Sequence, residues 1–135
     1  MYLLNIEYWI LNIEYWINYL FPDLSDVVVY GVSVPGCEGR AGMAAIVESD
    51  NIDLDILAAS LASKLPAYAR PHFLRLAAQL DMTGTYKLKK RDLQLEGFNP
   101  EKIRDKLYFL DAKSNQYISL DSELHSKICS GQVRF

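Results

Sequence analysis

Residues 65–97, LPAYARPHFLRLAAQLDMTGTYKLKKRDLQLEG, decide the predicted fold and function of this chain. Prolines at positions 66 and 71 precede a short apolar segment, and a Thr-Gly-Thr turn follows at residues 83–85. Four basic residues come next, before a helix-like tail that ends at Gly97: Lys87, Lys89, Lys90 and Arg91. A glycine-bearing loop that presents a lysine is suited to negative charge developing on a phosphate or carboxylate. From the residues alone, a solvated turn before a basic helix is the favoured interpretation.

The composition indicates one folded globular domain. Of 135 residues, 50% are hydrophobic and 23% are charged, which is enough apolar surface for a core. The net charge of -3 argues against nucleic-acid binding. Cys37 and Cys129 lack the spacing of a disulfide framework, and neither has metal-ligand spacing with His72 or His125. We therefore expect reduced cysteines and no metal site, and no apolar run is long enough to span a membrane.

Residues 1–20 differ from the rest of the chain. The heptapeptide LNIEYWI occurs at residues 4–10 and again at residues 11–17. Its high apolar content predicts a helix through about residue 18, ended near Pro22, more than a coiled coil. A membrane-surface helix is a second possibility, but Glu7 and Glu14 without any Lys or Arg count against it. We therefore separate an atypical segment, residues 1–20, from a domain at residues 21–135.

Hydrophobic patterns predict a small α+β domain, in which helices flank a short, mostly antiparallel sheet and a hairpin and helix complete the C-terminus. Strands are predicted at residues 27–34, 41–48 and 72–76, with the hairpin at 108–110 and 117–120. Helices are predicted after Asp53 to about residue 65, at 89–96, at 100–106 and after Asp121 to about residue 130.

A family resemblance covers the chain from about residue 21 to the end. The segments that carry it are VVVYGVSVPGCEGRAGMAAIV (27–47), LPAYARPHFLRL (65–76), TGTYKLKKRDLQLEGFNP (83–100), KLYFLD (106–111) and YISLD (117–121). Together they resemble the C-terminal domain of AMP-forming acyl-CoA synthetases. The sequence is most similar to the fatty acid transport protein, or very-long-chain acyl-CoA synthetase, subgroup.

The resemblance implies a catalytic lysine. In such enzymes a C-terminal lysine binds the carboxylate and the α-phosphate while the acyl-adenylate forms, and a leucine follows it by six positions. Lys87 precedes Leu93 by six, so Lys87 takes this role best, with Lys89 as the alternative. Thr83, Gly84 and Thr85 would support the lysine as its loop.

The neighbouring charges have a less specific interpretation. Lys89, Lys90 and Arg91 suit a solvated helix face, although they could contact a phosphate or the other domain. Asp92 and Glu96 lie on the same predicted helix and could pair with Lys89 and Lys90, with a small energetic gain.

The resemblance also implies a function for a larger protein. This would be a long- or very-long-chain fatty acid–CoA ligase that uses ATP, CoA and Mg²⁺ and supports fatty acid uptake. A large N-terminal domain absent from this sequence would bind those substrates, so we expect the isolated chain to bind none of them and to be inactive. Membrane association at a cytosolic face, on the endoplasmic reticulum, peroxisome or plasma membrane, is implied by the family and not encoded here. The alternative is a stand-alone, non-catalytic interaction module.

Overall fold

A five-stranded sheet forms the centre of the structure, a computed structural model that describes residues 7–21, 27–36, 40–47, 52–66, 69–77 and 86–133. Within the stretches 7–12 and 86–90 it describes the backbone alone. The described strands are β1 (Val27–Val32), β2 (Ala41–Val47), β3 (Phe73–Ala77), β4 (Lys106–Asp111) and β5 (Gln116–Ser119). The described helices are α1 (Glu7–Leu20), α2 (Leu54–Lys64), α3 (Tyr86–Glu96) and α4 (Ser122–Cys129).

The strands lie in the order β1-β2-β3-β4-β5, and only the β2–β3 pair is parallel. A parallel pair needs a crossover connection, and α2 provides it between β2 and β3. The register aligns Tyr30 with Met43, Met43 with Phe73, and Phe73 with Phe109 across four strands. The predicted α+β class and the mostly antiparallel sheet are confirmed.

Both faces of the sheet are covered, and each carries its own apolar cluster. We call one the α1–α2 face, where Ile13, Ile17, Leu57 and Leu61 pack on the sheet. The other is the α3–α4 face, where the buried residues include Tyr30, Phe73, Leu93, Phe98 and Ile128. Successive residues of a strand point to opposite faces, which is why Phe73 and Leu74 belong to different clusters.

Local capping sets the ends of two helices as the sequence predicts. The Asp53 side chain accepts from the backbone N–H groups of Asp55 and Ile56, and the Asp121 side chain accepts from that of Leu124. These carboxylates satisfy donors that have no partner within the helix. At the edge of the sheet, Glu14 Oε1 accepts from the backbone N–H of Val29 at 3.0 Å, which ties α1 to β1.

The prediction of a helix at residues 100–106 is wrong. Residues 99–103 form turns, in which Asn99 Oδ1 accepts from the backbone N–H of Glu101 at 2.9 Å and Ile103 is buried. Lys106 already belongs to β4 and pairs with Leu76 of β3. Strand pairing with β3 therefore overrides the helix signal of Pro100, because the alternating KLYFLD segment buries Leu107 and Phe109 only as a strand.

Candidate functional site at helix α3

Helix α3 carries the basic residues that the sequence singles out. It begins at Tyr86, three residues before the predicted start, so Lys87 lies on helical backbone in the first turn and not in a loop. Tyr86 to Leu88 are ordinary helix-compatible residues, which explains why the helix includes them. Lys89 and Lys90 also lie on the α3 backbone, and the Arg91 side chain is exposed. Thr83, Gly84 and Thr85 lie outside the described residues.

The charges along α3 run against the helix dipole. Its first turn contains no acidic residue, its last turn contains no basic residue, and the helix ends on Glu96. Aligned peptide dipoles leave a partial positive charge at a helix N-terminus and a partial negative charge at its C-terminus. Lysines at the start therefore add to the positive end, which strengthens its attraction for an anion and weakens the isolated helix. Glu96 adds to the negative end and needs a cation from elsewhere.

Arg75 of β3 supplies that cation. Its Nη1 donates to Oε2 of Glu96, and its Nε donates to Oδ2 of Asp105 at 2.8 Å. The Arg75 side chain is only 12% exposed. Burial lowers the pKa of the guanidinium, but its hydrogen bonds with the two carboxylates outweigh burial and hold that pKa above its ordinary value. We call Arg75, Glu96 and Asp105 the charged triad.

The phenol of Tyr30 lies on the same face and is fully buried. In the part of the chain that the structure describes, its hydroxyl has no hydrogen-bond partner. Burial raises the pKa of this phenol well above its ordinary range, Arg75 opposes the rise, and the carboxylates of Glu96 and Asp105 add to it. The space beneath α3 therefore combines an ion-paired cation with a neutral hydroxyl.

Apolar contacts fix the end of α3 next to the triad. Leu93 is buried in the cluster of the α3–α4 face. Gly97 follows the helix with φ of 65°, a conformation that suits glycine, and its N–H donates to the Leu93 carbonyl at 3.1 Å. Phe98 then stacks on Phe73, with ring centroids 4.2 Å apart. The C-terminal end of α3 is therefore held by packing as well as by charge.

Comparison with known proteins identifies the domain. The family model for the AMP-binding enzyme C-terminal domain matches residues 19–87, slightly more than half of the chain. The chain belongs to this family. The match ends on Lys87, the residue predicted to be catalytic. No solved structure matches the chain.

Curated relatives are named as fatty acid transport proteins. Long-chain fatty acid transport protein 1 of Mus musculus is 50% identical over 108 residues, which are 79% of this chain and 17% of the relative. The Homo sapiens protein of the same name is 48% identical over 108 residues, with the same shares. Long-chain fatty acid transport protein 6 of Mus musculus is 43% identical over 113 residues, 82% of this chain and 18% of the relative. The chain thus spans about a sixth of the length of these relatives.

Sequence reasoning about this AMP-binding enzyme C-terminal domain missed the charged triad. It paired Glu96 with a lysine of its own helix, whereas Glu96 contacts Arg75, 21 residues away in the sequence. The available signal was an arginine in the middle of the apolar strand FLRLA, because a charge at such a position requires a partner. The sequence does not show which carboxylates provide it.

Outside helix α3, the described residues of this AMP-binding enzyme C-terminal domain include one close thiol–imidazole pair. On α4, Cys129 Sγ lies 3.6 Å from Nε2 of His125, and burial raises the pKa of that thiol. Among the described residues, no group of three or more His, Cys, Asp or Glu side chains is placed to hold a metal. None of the helices within the described ranges has the length and apolar character to cross a membrane.

Proposed function

We propose that this chain is the C-terminal domain of a long- or very-long-chain fatty acid–CoA ligase and supplies Lys87 to acyl-adenylate formation. The observation that carries the proposal is the position of Lys87 in the first turn of α3, where its charge adds to the positive end of the helix. Relatives named fatty acid transport proteins support the substrate class.

The chemistry explains why a fixed cation is useful. A carboxylate oxygen attacks the α-phosphorus of ATP, the bond to pyrophosphate breaks, and an acyl-adenylate forms. The CoA thiol then attacks the acyl carbon, and AMP leaves with the bonding electrons. The first step brings anionic groups together, so a lysine held at that point stabilises the transition state more than the separated reactants. The proposal assigns no step to a metal on this chain and places the binding of ATP, CoA and Mg²⁺ outside it.

The experiment is a chimera. The matching segment of the mouse long-chain fatty acid transport protein 1 is replaced by this chain, and the two half-reactions are measured separately. We expect ATP- and CoA-dependent acyl-CoA formation by the chimera and none by the isolated 135-residue chain. Lys87→Ala should reduce fatty-acid-dependent ATP–pyrophosphate exchange on the order of 10²- to 10³-fold, the typical loss of one preorganised charge-stabilising donor.

Matched variants identify which cation acts. Lys89→Ala, Lys90→Ala and Arg91→Ala should each keep exchange within about threefold of the parent chimera, because they change a neighbouring charge and leave Lys87 in place. CoA thioester formation from supplied acyl-adenylate should be insensitive to Lys87→Ala. Loss of exchange in Lys89→Ala alone would transfer the role to Lys89. An inactive chimera, or full exchange in Lys87→Ala, would contradict the proposed function.

Helix α1 supports the non-catalytic alternative. Tyr15 is 59% exposed and Tyr19 is 65% exposed, and both rings pack on Trp16 with centroids 5.2 and 5.7 Å away. Lys64 Nζ lies 5.3 Å from the centroid of the Trp16 ring. Deletion of residues 1–20 would uncover the core, since Ile13 and Ile17 are buried, so the better variant is Tyr15→Ser with Tyr19→Ser. Cosedimentation with liposomes or a full-length relative that this variant abolishes would favour a binding module.

A further inference from the structure

The charged triad joins three parts of the chain that are distant in sequence. Arg75 lies in the centre of β3, Glu96 ends α3, and Asp105 immediately precedes β4. β3 is a central strand with β2 and β4 on its two sides, so its backbone is fixed by pairing on both edges. Arg75 is therefore a rigid point from which the end of α3 is held.

The orientation of α3 matters most at its other end. Glu96 is nine residues after Lys87, so their Cα atoms are about 14 Å apart along the helix axis and lie on opposite sides of it. A tilt of about 10° around the Glu96 end would move the first turn by about 2 Å. Misplacement of a reacting group by 1 Å can reduce a rate on the order of 10²-fold.

The helix dipole explains why a cation is needed at the C-terminal end of α3. The last turn of α3 has no basic residue of its own, and Glu96 adds negative charge to the negative end of the helix. Arg75 neutralises that end while its second donor engages Asp105 in the segment that follows α3. A lysine has one ammonium group and lacks the planar fork that reaches two carboxylates in fixed directions.

We propose that Arg75 is a positioning residue for Lys87, because by binding Glu96 and Asp105 it sets the angle of α3 on the sheet. This inference rests on the proposed function of Lys87. Arg75 acts through α3 and not on the substrate. When the triad is broken, the C-terminal end of α3 is still held by Leu93, Gly97 and Phe98. Removal of Arg75 should therefore change the angle of α3 on the sheet and leave the helix folded.

The test uses the same chimera with Arg75→Gln, Arg75→Lys and Glu96→Gln. We expect Arg75→Gln to lower kcat for ATP–pyrophosphate exchange on the order of 10-fold or more, with KM for fatty acid and for ATP within about twofold. Thioester formation from supplied acyl-adenylate should not change. Arg75→Lys should recover part of the exchange rate because it restores one of the two ion pairs.

The matched control is Lys127→Gln, which breaks the exposed ion pair of Lys127 with Glu123 on α4. This variant should leave both half-reactions unchanged.

A double variant separates positioning from general support of the fold. If Arg75 acts only through Lys87, adding Arg75→Gln to Lys87→Ala should cause no further loss of exchange. The ammonium group that Arg75 would position is already absent from Lys87→Ala. A multiplicative loss, or equal losses in both half-reactions, would overturn the inference. Wild-type exchange in Arg75→Gln would also overturn it.

The same series separates this inference from the function on which it rests. Full exchange in Lys87→Ala contradicts the proposed function, whereas a loss in Lys87→Ala without a loss in Arg75→Gln contradicts only the positioning role. Where Arg75→Gln does not fold, Glu96→Gln decides the matter, since it removes one ion pair at a more exposed position. Loss of exchange in a normally melting Glu96→Gln chimera supports the inference, and retention overturns it.

Discussion

Among the side chains that the structure describes, each face of the sheet buries one tyrosine, and the two hydroxyls have opposite environments. On the α1–α2 face, the Tyr117 hydroxyl donates to the Pro71 carbonyl at 2.7 Å. On the α3–α4 face, the Tyr30 hydroxyl is also buried and has no partner among the described residues. Buried polar groups are nearly always hydrogen-bonded, so a hydroxyl without a partner among the described residues carries the cost of its lost hydration. The exception lies under the helix that carries Lys87.

The basic residues of the central strand region show the same contrast. Arg75 remains charged because two carboxylates bind it, whereas His72, three residues earlier, is buried and burial lowers its pKa to about 4. At Arg75 two carboxylates compensate for burial of the charge, whereas at His72 burial favours the neutral form.

The largest expected effect concerns His72. Its pKa is lower in the folded chain, about 4, than the ordinary value of 6.5, so the unfolded chain binds the proton more readily between these values. The stabilisation from a neutral His72 is therefore complete above about pH 6.5 and is lost as pH falls towards 4. A shift of this size corresponds to about 3 kcal/mol in the free energy of unfolding.

The measurement compares urea unfolding of the wild type and His72→Gln from pH 7.5 to pH 4. We expect the difference in unfolding free energy between the two proteins to move by about 2–3 kcal/mol in favour of the variant as pH falls. At pH 7.5 His72 is neutral in both states, so the difference in unfolding free energy between the two proteins at that pH measures the packing lost in the variant. That difference is subtracted at every lower pH. Parallel pH curves would show that His72 is charged, or equally easy to protonate, in the folded state.

The next effect tests the tyrosine comparison directly. Tyr117→Phe removes a donor from the buried Pro71 carbonyl and should lower the free energy of unfolding by about 1–3 kcal/mol. Tyr30→Phe removes a hydroxyl that is desolvated without a partner, so we expect no loss or a gain of up to about 1 kcal/mol. Each variant is the size-matched control for the other in urea unfolding at pH 7. Equal destabilisation would show that Tyr30 finds a partner beyond the described ranges, and the two faces would not differ in this respect.

The elements that the sequence predicts correctly have local causes. Asp53 and Asp121 cap their helices, and the β-branched run at the start of β1 and the alternating pattern of the β4–β5 hairpin each require only neighbouring residues. The helix expected from Pro100 fails because pairing of β4 with β3, a contact across the sheet, decides the conformation of that segment.

The site follows the same division. The basic cluster and its helix are visible as a local run of residues, although the sequence predicts the start of α3 three residues too late. The charged triad is not visible in the sequence, because Glu96 and Asp105 lie 21 and 30 residues from Arg75 and only the tertiary fold brings them to it. A single arginine in an apolar strand predicts that partners exist, but not their identity.

The smallest effect tests whether the two faces differ at their helix ends as well. Asp53→Ala removes two hydrogen bonds from α2 on one face, and Asp121→Ala removes one from α4 on the other. We expect each variant to lower the free energy of unfolding by about 1 kcal/mol, with the larger loss at Asp53, and serine at either position to restore most of it. Asp55→Ala, which removes an exposed first-turn carboxylate from α2 without removing its cap, should lose less. Urea unfolding measures both losses. Similar losses would show that the two faces differ in their buried polar groups, at Tyr30 and the charged triad, and not at their helix ends. A negligible loss at Asp121 would instead show that this cap contributes little to stability and that the two faces differ at their helix ends as well.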